Sequence, residues 1–148
     1  MAADLDLVRR IATPEQWLAV VATTRPDNSV HASLVNAGLL EHPLTGEPVV
    51  GFVVRGDTRK LAHLRRTQRV TVVWRRGWTW VSVEGPVDIA GPDDPLDAFD
   101  PDALPDLLRA VFTGAGGTHD DWDEYDRVMA AERRTAVLVH PARILGSG

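Results

Sequence analysis

One stretch, residues 49–85 (VVGFVVRGDTRKLAHLRRTQRVTVVWRRGWTWVSVEG), limits the possible folds more than any other. An apolar run at 50–54 ends in the turn Arg55-Gly56-Asp57. A helical pattern follows over 58–66, with Leu61 and Leu64 three apart on one face. Two β-rich runs, 70–74 and 78–84, are separated only by Arg75-Arg76-Gly77. The order is strand, turn, short basic helix, strand, tight turn, strand. Trp78 and Trp80 alternate onto one strand face with Ser82 and Glu84.

The flanks extend this pattern. Residues 4–12 predict a short amphipathic helix, with Leu5, Val8 and Ala12 on one face, before the break at Thr13-Pro14. Runs at 17–24 and 29–36 pair across the turn Arg25-Pro26-Asp27-Asn28. Val30, Ala32 and Leu34 then share one strand face, and His31, Ser33 and Val35 the other. Residues 41–48 read as a polar loop. The second half changes character: residues 84–132 hold fourteen acids against two bases, Arg109 and Arg127. A helix is predicted over 104–112 and a break at 114–117. A second helix is predicted over 119–133, with Thr118 as its N-cap and Trp122, Tyr125 and Met129 facing the core. A last strand falls at 135–139, and 141–148 reads as an irregular tail. Six β-runs with short helices between them are mainly β, of the α+β class, and suit a small antiparallel barrel with helices at its rim. A sandwich satisfies the same pattern. With 148 residues, 44% of them hydrophobic, residues 1–148 are expected to form one domain.

Charge singles out residues 55–76. They carry eight basic residues against Asp57, a net +7 in a chain whose net charge is −5. Lys60 is the lone lysine; the other fifteen basic residues are arginines. A cationic cluster at a strand-to-helix junction is suited to an anion, because the helix N-terminus presents N–H groups and the positive end of its dipole. Arg59 and Lys60 together point to such a site; a solvated basic helix face is the plainer alternative. Other chemistries find no residues. The absence of cysteine excludes disulfides, thiolate nucleophiles and Cys-ligated metals. No serine lies in a G-x-S-x-G elbow, and no two of the five histidines form a metal-binding i,i+4 pair. The acids of His119-Asp120-Asp121 fit a helix start better than a metal, so no metal site is expected. Net acidity argues against a nucleic-acid partner. With no run of eighteen apolar residues and no apolar signal core in residues 1–10, no membrane partner and a cytoplasmic location are expected.

The residue order in the central stretch resembles a known family. An apolar strand ends in Arg55; Thr58-Arg59-Lys60 follows, then Leu61-Ala62-His63-Leu64-Arg65-Arg66, then a Val/Thr strand ending at Trp74. This is similar to the pyridoxamine 5'-phosphate oxidase-like split-barrel flavoproteins, and within them to the actinobacterial branch that uses the deazaflavin coenzyme F-420. Gly116-Gly117-Thr118-His119-Asp120-Asp121-Trp122 and Arg127-Val128-Met129 resemble one subgroup of that branch. The resemblance implies a six-stranded antiparallel split β-barrel of the FMN-binding type and a homodimer with cofactor sites at its interface. It also implies an oxidoreductase that transfers hydride from reduced deazaflavin to a small organic substrate. Thr58, Arg59 and Lys60 would hold the cofactor phosphate. Ser33, Leu34, Val35 and Asn36 would line its ring, and Val53, Val54 and Arg55 would approach it. Trp78 and Trp80 would wall the pocket or the dimer seam, or pack a barrel face; Trp74 would pack in the core or at the interface. A basic groove built from Arg55, Arg59 and Arg65 or Arg66 would take the polyglutamate tail of the deazaflavin. The C-terminal contacts of the FMN oxidases have no counterpart in residues 143–148. An FMN-dependent oxidoreductase and a non-catalytic phosphate-ligand or cofactor-storage protein remain the alternatives.

Overall fold

A computed structural model describes residues 3–147. The chain opens with α1 (Leu5–Ala12), capped by Asp4, whose carboxylate accepts the Leu7 N–H at 2.9 Å. Its buried face is Leu7, Val8, Ile11 and Ala12, wider than the stripe the spacing suggested. Four strands follow: β1 (Leu18–Thr24), β2 (Val30–Asn36), β3 (Gly38–Glu41) and β4 (Pro48–Val54). Then come α2 (Arg59–Thr67), β5 (Arg69–Arg76) and the twelve-residue β6 (Thr79–Ala90). Two helices, α3 (Leu104–Gly114) and α4 (Trp122–Ala131), precede β7 (Thr135–Val139) and β8 (Arg143–Gly146).

The strands form one antiparallel sheet in the order β2-β1-β5-β6-β7-β4-β3, with β8 on β6. Strand β6 serves both parts of it. Its first part pairs with β5 from Thr79 to Pro86, and its last four residues, from Val87 to Ala90, pair with β7. Strands β2 and β4 come close together, yet no ladder joins them. The barrel is therefore split along this seam.

Burial explains the apolar runs. On β4, Val50, Phe52 and Val54 enter the barrel core, while Val49 and Val53 join a second cluster beneath α3 and α4. On β7, Val137 and Val139 face the barrel, and Ala136 and Leu138 face the helices. Strands buried on both faces lose polar alternation and read as continuous hydrophobic runs. Trp74 is fully buried and donates its indole N–H to the Ala37 carbonyl at 3.0 Å, so it is a core residue. Burying a side chain of the size of Phe52 contributes about 1.5–3 kcal/mol.

The α+β split-barrel expectation describes this architecture, with eight strands in place of six. Strand β3 follows β2 after one residue, Ala37, so the sequence carries no turn signal between them. Strand β8 lies in the segment read as a tail; its pairing with Val81 to Glu84 is a tertiary property of β6. Helix α4 starts three residues after the predicted start. The His119 ring accepts the Asp121 N–H at 3.0 Å, and Asp121, not Thr118, caps the helix by accepting from Glu124 N–H at 3.1 Å. Trp78 is not a strand residue. It forms the β5–β6 turn with Gly77 (φ 59°), and its side chain is 98% exposed.

Candidate functional site

A cavity of about 900 Å³ lies at the open seam, between β2, the end of β4, the start of α2 and the corner joining α3 to α4. One end is charged. Arg55, Thr58, Lys60 and Arg134 meet there because β4 and β7 are paired neighbours, Val54 opposite Thr135, and α2 begins just beyond β4. Thr58 caps α2: its hydroxyl donates to the Arg55 carbonyl at 3.0 Å and accepts from Leu61 N–H at 3.4 Å. The N–H groups of Arg59 and Lys60 precede the intrahelical ladder at this helix start. Burial lowers the Lys60 pKa from its usual value, and the nearby Arg134 charge lowers it further. Arg134 donates to Glu132 at 3.0 Å, and Glu132 lies 3.7 Å from Arg55. No carboxylate is among the described residues that line the cavity.

The rest of the wall is apolar and aromatic: Trp17, Val111, Phe112, Tyr125 and Met129, with the turn at Gly116 and Gly117. Phe112 sits 5.1 Å from Tyr125 and edge-on to Trp122 at 6.1 Å, ring centre to ring centre. A Cβ on Gly117 would lie 2.6 Å from the Phe112 ring, so residues 114–117 are a close-packed wall as well as the helix break read in the sequence. The Tyr125 hydroxyl donates to the Leu108 carbonyl at 3.2 Å, and burial raises its pKa.

The structure brings together eight of the residues singled out from the sequence: Leu34, Val35, Asn36, Val53, Val54, Arg55, Thr58 and Lys60 all line the cavity. Ser33, Arg59, Trp78 and Trp80 do not. Ser33 shares a face of β2 with Val35 yet lies outside the cavity lining, and its hydroxyl is buried with no hydrogen-bond partner. Arg59 lies near His63, on another side of α2. Trp80 sits on the outer sheet face opposite Arg75. Nor does the +7 cluster converge. Arg65 is held by Asp94 through two hydrogen bonds of 2.8 and 2.6 Å, and Arg66 donates to the Thr24 carbonyl. Arg65 therefore leaves the predicted groove, because a bidentate carboxylate already satisfies it.

Arg134, Trp17 and Phe112 were missed as site residues. Arg134 reads in sequence as a charge closing a helix, Trp17 as the start of a β-run and Phe112 as the end of a helix. Nothing in their spacing connects them to Lys60. A second cluster was also missed. His42 and His140 place their Nε2 atoms 2.8 and 2.7 Å from one oxygen of Asp88. His42 Nδ1 accepts the Leu44 N–H at 3.1 Å, so its proton sits on Nε2 and is donated to Asp88. A metal at that nitrogen would need a doubly deprotonated ring. The cluster is therefore a hydrogen-bonded clasp between the β3–β4 turn, β6 and the end of β7. Burial pushes the Asp88 carboxyl up, but the hydrogen bonds from His140 and His42 outweigh it and hold its pKa below the usual value.

No family model matches the chain. Solved structures do match its fold. A conserved hypothetical protein from Mycobacterium tuberculosis superposes with a TM-score of 0.69 at 18% identity, over 99% of this chain and 84% of its own. An F-420 reductase superposes with a TM-score of 0.59 at 15% identity, over 88% and 90% of the two chains. A pyridoxamine 5'-phosphate oxidase-related, FMN-binding protein from Nostoc punctiforme gives 0.61 at 12% identity, over 96% and 78%. The fold is that of the pyridoxamine 5'-phosphate oxidase-like split barrels.

Proposed function

We propose that this split-barrel protein is an oxidoreductase that binds coenzyme F-420 in the seam cavity and uses it to reduce a small organic molecule. The observation that carries this reading is the mixed lining of the cavity: Arg55, Lys60 and Arg134 share one wall with apolar and aromatic side chains. Burial and then the nearby Arg134 charge lower the Lys60 pKa, and Glu132, which pairs with Arg134, does not itself line the cavity. Lys60 and Arg134 together suit a phosphate diester or monoester, which relieves their repulsion. Lys60, Arg55 and Arg134 would grip the phosphate together with the N–H groups at the start of α2. Leu34, Val35 and Asn36 lie on a strand whose outer edge has no ladder partner, so its backbone groups are free to bond the polar edge of a flat ring. When bound, the deazaflavin supplies the hydride. The protein holds the ring, excludes water through Phe112, Tyr125 and Met129, and needs no nucleophile of its own.

The anionic tail of the deazaflavin would leave the phosphate corner along α2. Arg66, Arg25 and Arg59 lie near His63, on another side of α2 from the cavity, and would meet such a tail where it passes the helix. This favours a polycarboxylate over FMN, which has no such tail. FMN remains the second reading, supported by the likeness to the FMN-binding protein from Nostoc punctiforme. The reading includes a homodimer. Leu18, Val20, Val30, Leu34, Trp80 and Leu145 are exposed on strands β1, β2, β6 and β8, an apolar set suited to a second copy of the chain. Leu34 belongs both to this set and to the cavity wall.

Titration of the purified protein with F-420 and with FMN, at low and high salt, tests the assignment. F-420 is expected to bind more tightly and to weaken as salt rises, since exposed charges are screened. FMN retained through purification, with no binding of F-420, would move the assignment to FMN.

A further inference from the structure

We infer that Glu132, which lies outside the cavity lining, is a positioning residue that aims Arg134 at the bound phosphate. In the reading above, on which this rests, a cofactor phosphate meets Arg55, Lys60 and Arg134. Glu132 closes helix α4, and its two carboxylate oxygens face different arginines. Oε1 accepts from Arg134 Nε at 3.0 Å, and Oε2 lies 3.7 Å from Arg55 Nη1. The backbone carbonyl of Glu132 accepts the Gly56 N–H at 3.3 Å, so the same residue also holds the β4–α2 turn. That turn seats directly against the end of α4: a Cβ on Gly56 would lie 2.8 Å from the Arg133 carbonyl oxygen. Two arginines from segments far apart in sequence thus meet at one carboxylate.

The backbone makes such a guide necessary. Arg133 is left-handed (φ 50°), and its side chain makes two hydrogen bonds to Asp93. Arg133 and Arg134 therefore diverge, the first to the 91–95 loop and the second to the cavity. The bond from Arg134 Nε uses one guanidinium N–H and orients the planar fork, leaving the other four for a ligand. A side chain held in advance pays less ordering cost when the ligand arrives. The Arg55 contact is longer and its side chain is half exposed, so it contributes less. Glu132 has an opposing effect as well, because its charge partly neutralises both arginines. Removing the charge while keeping an acceptor oxygen separates the two effects.

Calorimetric titration of wild type, Glu132→Gln and Glu132→Ala with F-420 and with FMN tests this. Both variants keep the backbone bond to Gly56, so the fold should survive, which thermal melts verify. Glu132→Ala should weaken binding by about tenfold, through loss of an oriented charge-assisted bond. Glu132→Gln still accepts from Arg134 and should stay within about threefold of wild type. In an Arg134→Ala background, Glu132→Ala should cost almost nothing more, because Glu132 acts through that arginine. Three results would each overturn the inference. They are wild-type affinity in Glu132→Ala, a tenfold or larger loss in Glu132→Gln, and a full further loss in the Arg134→Ala background. The two cofactors separate this role from the reading it rests on. The expected order with FMN, without F-420 binding, brings down the deazaflavin assignment and leaves Glu132 its role. F-420 binding that is equal in all variants does the reverse, and no binding of either cofactor brings down both.

Discussion

Lys60 and Arg134 share the charged end of the cavity, and each should matter to ligand binding for the same reason. Lys60→Ala removes a charge-assisted hydrogen bond, worth roughly 1.5–3 kcal/mol, or about a ten- to hundredfold loss of F-420 affinity. Arg134→Ala should cost a similar amount, whereas Arg65→Ala, which breaks a pair with Asp94 outside the cavity, should cost little. Calorimetry on the three variants decides this; equal affinities would remove the phosphate from Lys60. The same lysine should be a burden to the empty protein. Its folded pKa lies below the usual 10.5, so the unfolded chain binds its proton more firmly, and stability should rise as pH climbs toward 10.5. Lys60→Met should flatten that slope and raise the melting temperature at neutral pH by about 2–4 °C. His63 titrates at lower pH. Burial, then the charges of His31, Arg66, Arg25 and Arg59, depress its pKa below 6.5, and its ring nitrogen bonds the Thr23 hydroxyl at 3.1 Å. Its contribution to stability is therefore present above pH 6.5 and lost as pH falls through the depressed folded value. Melts across this range should show a shallower acid limb in His63→Gln than in the wild type.

The elements that shape the cavity meet through glycine. A Cβ on Gly38, in β3, would come within 2.3 Å of the Gly114 carbonyl oxygen at the end of α3. Backbone on backbone leaves no side chain to move aside. Gly38→Ala should destabilise the protein by about 1–3 kcal/mol. It should also loosen ligand binding by shifting α3, on which Val111 and Phe112 stand. Denaturant unfolding and titration check the two effects together; a change in neither would show that α3 can slide freely. This contact was not legible in the sequence, whereas the start of α2 was. Thr58 as cap and the Leu61–Leu64 face follow from spacings of three, a local rule that tertiary structure did not override. Helix α4 shows the limit of that rule: Thr118 and Asp121 are both good caps, and the His119 ring settled the choice. The charged corner was half legible. Lys60 and Arg55 belong to one local run; Arg134 reaches them only through the pairing of β4 with β7.

For the molecule as a whole, the apolar outer face of β1 and β2 bears on assembly. Val20→Lys, at an exposed position opposite Leu34, should turn a dimer into a monomer by light scattering while leaving the chain folded. A wild-type protein that is monomeric at micromolar concentration would remove the dimer from the proposal. Recurring short β-runs and turns made a small barrel or a sandwich legible, and the family resemblance selected the split barrel; the seam was not legible, since a missing ladder leaves no mark on composition. The long strand β6, paired with β5 and β8 along one part and with β7 along the rest, has a consequence for how the chain reaches this state. Neither part of the sheet can melt without stripping a partner from the same strand, so unfolding should be a single cooperative event. The closing ladders join segments far apart in sequence: Val50 lies opposite Val139, and β6 meets β7 only after the whole α3–α4 excursion. Loops of that length must close before their contacts contribute, which slows the search. Refolding should therefore be on the order of milliseconds to seconds, in the range of barrel proteins and well below that of helical bundles.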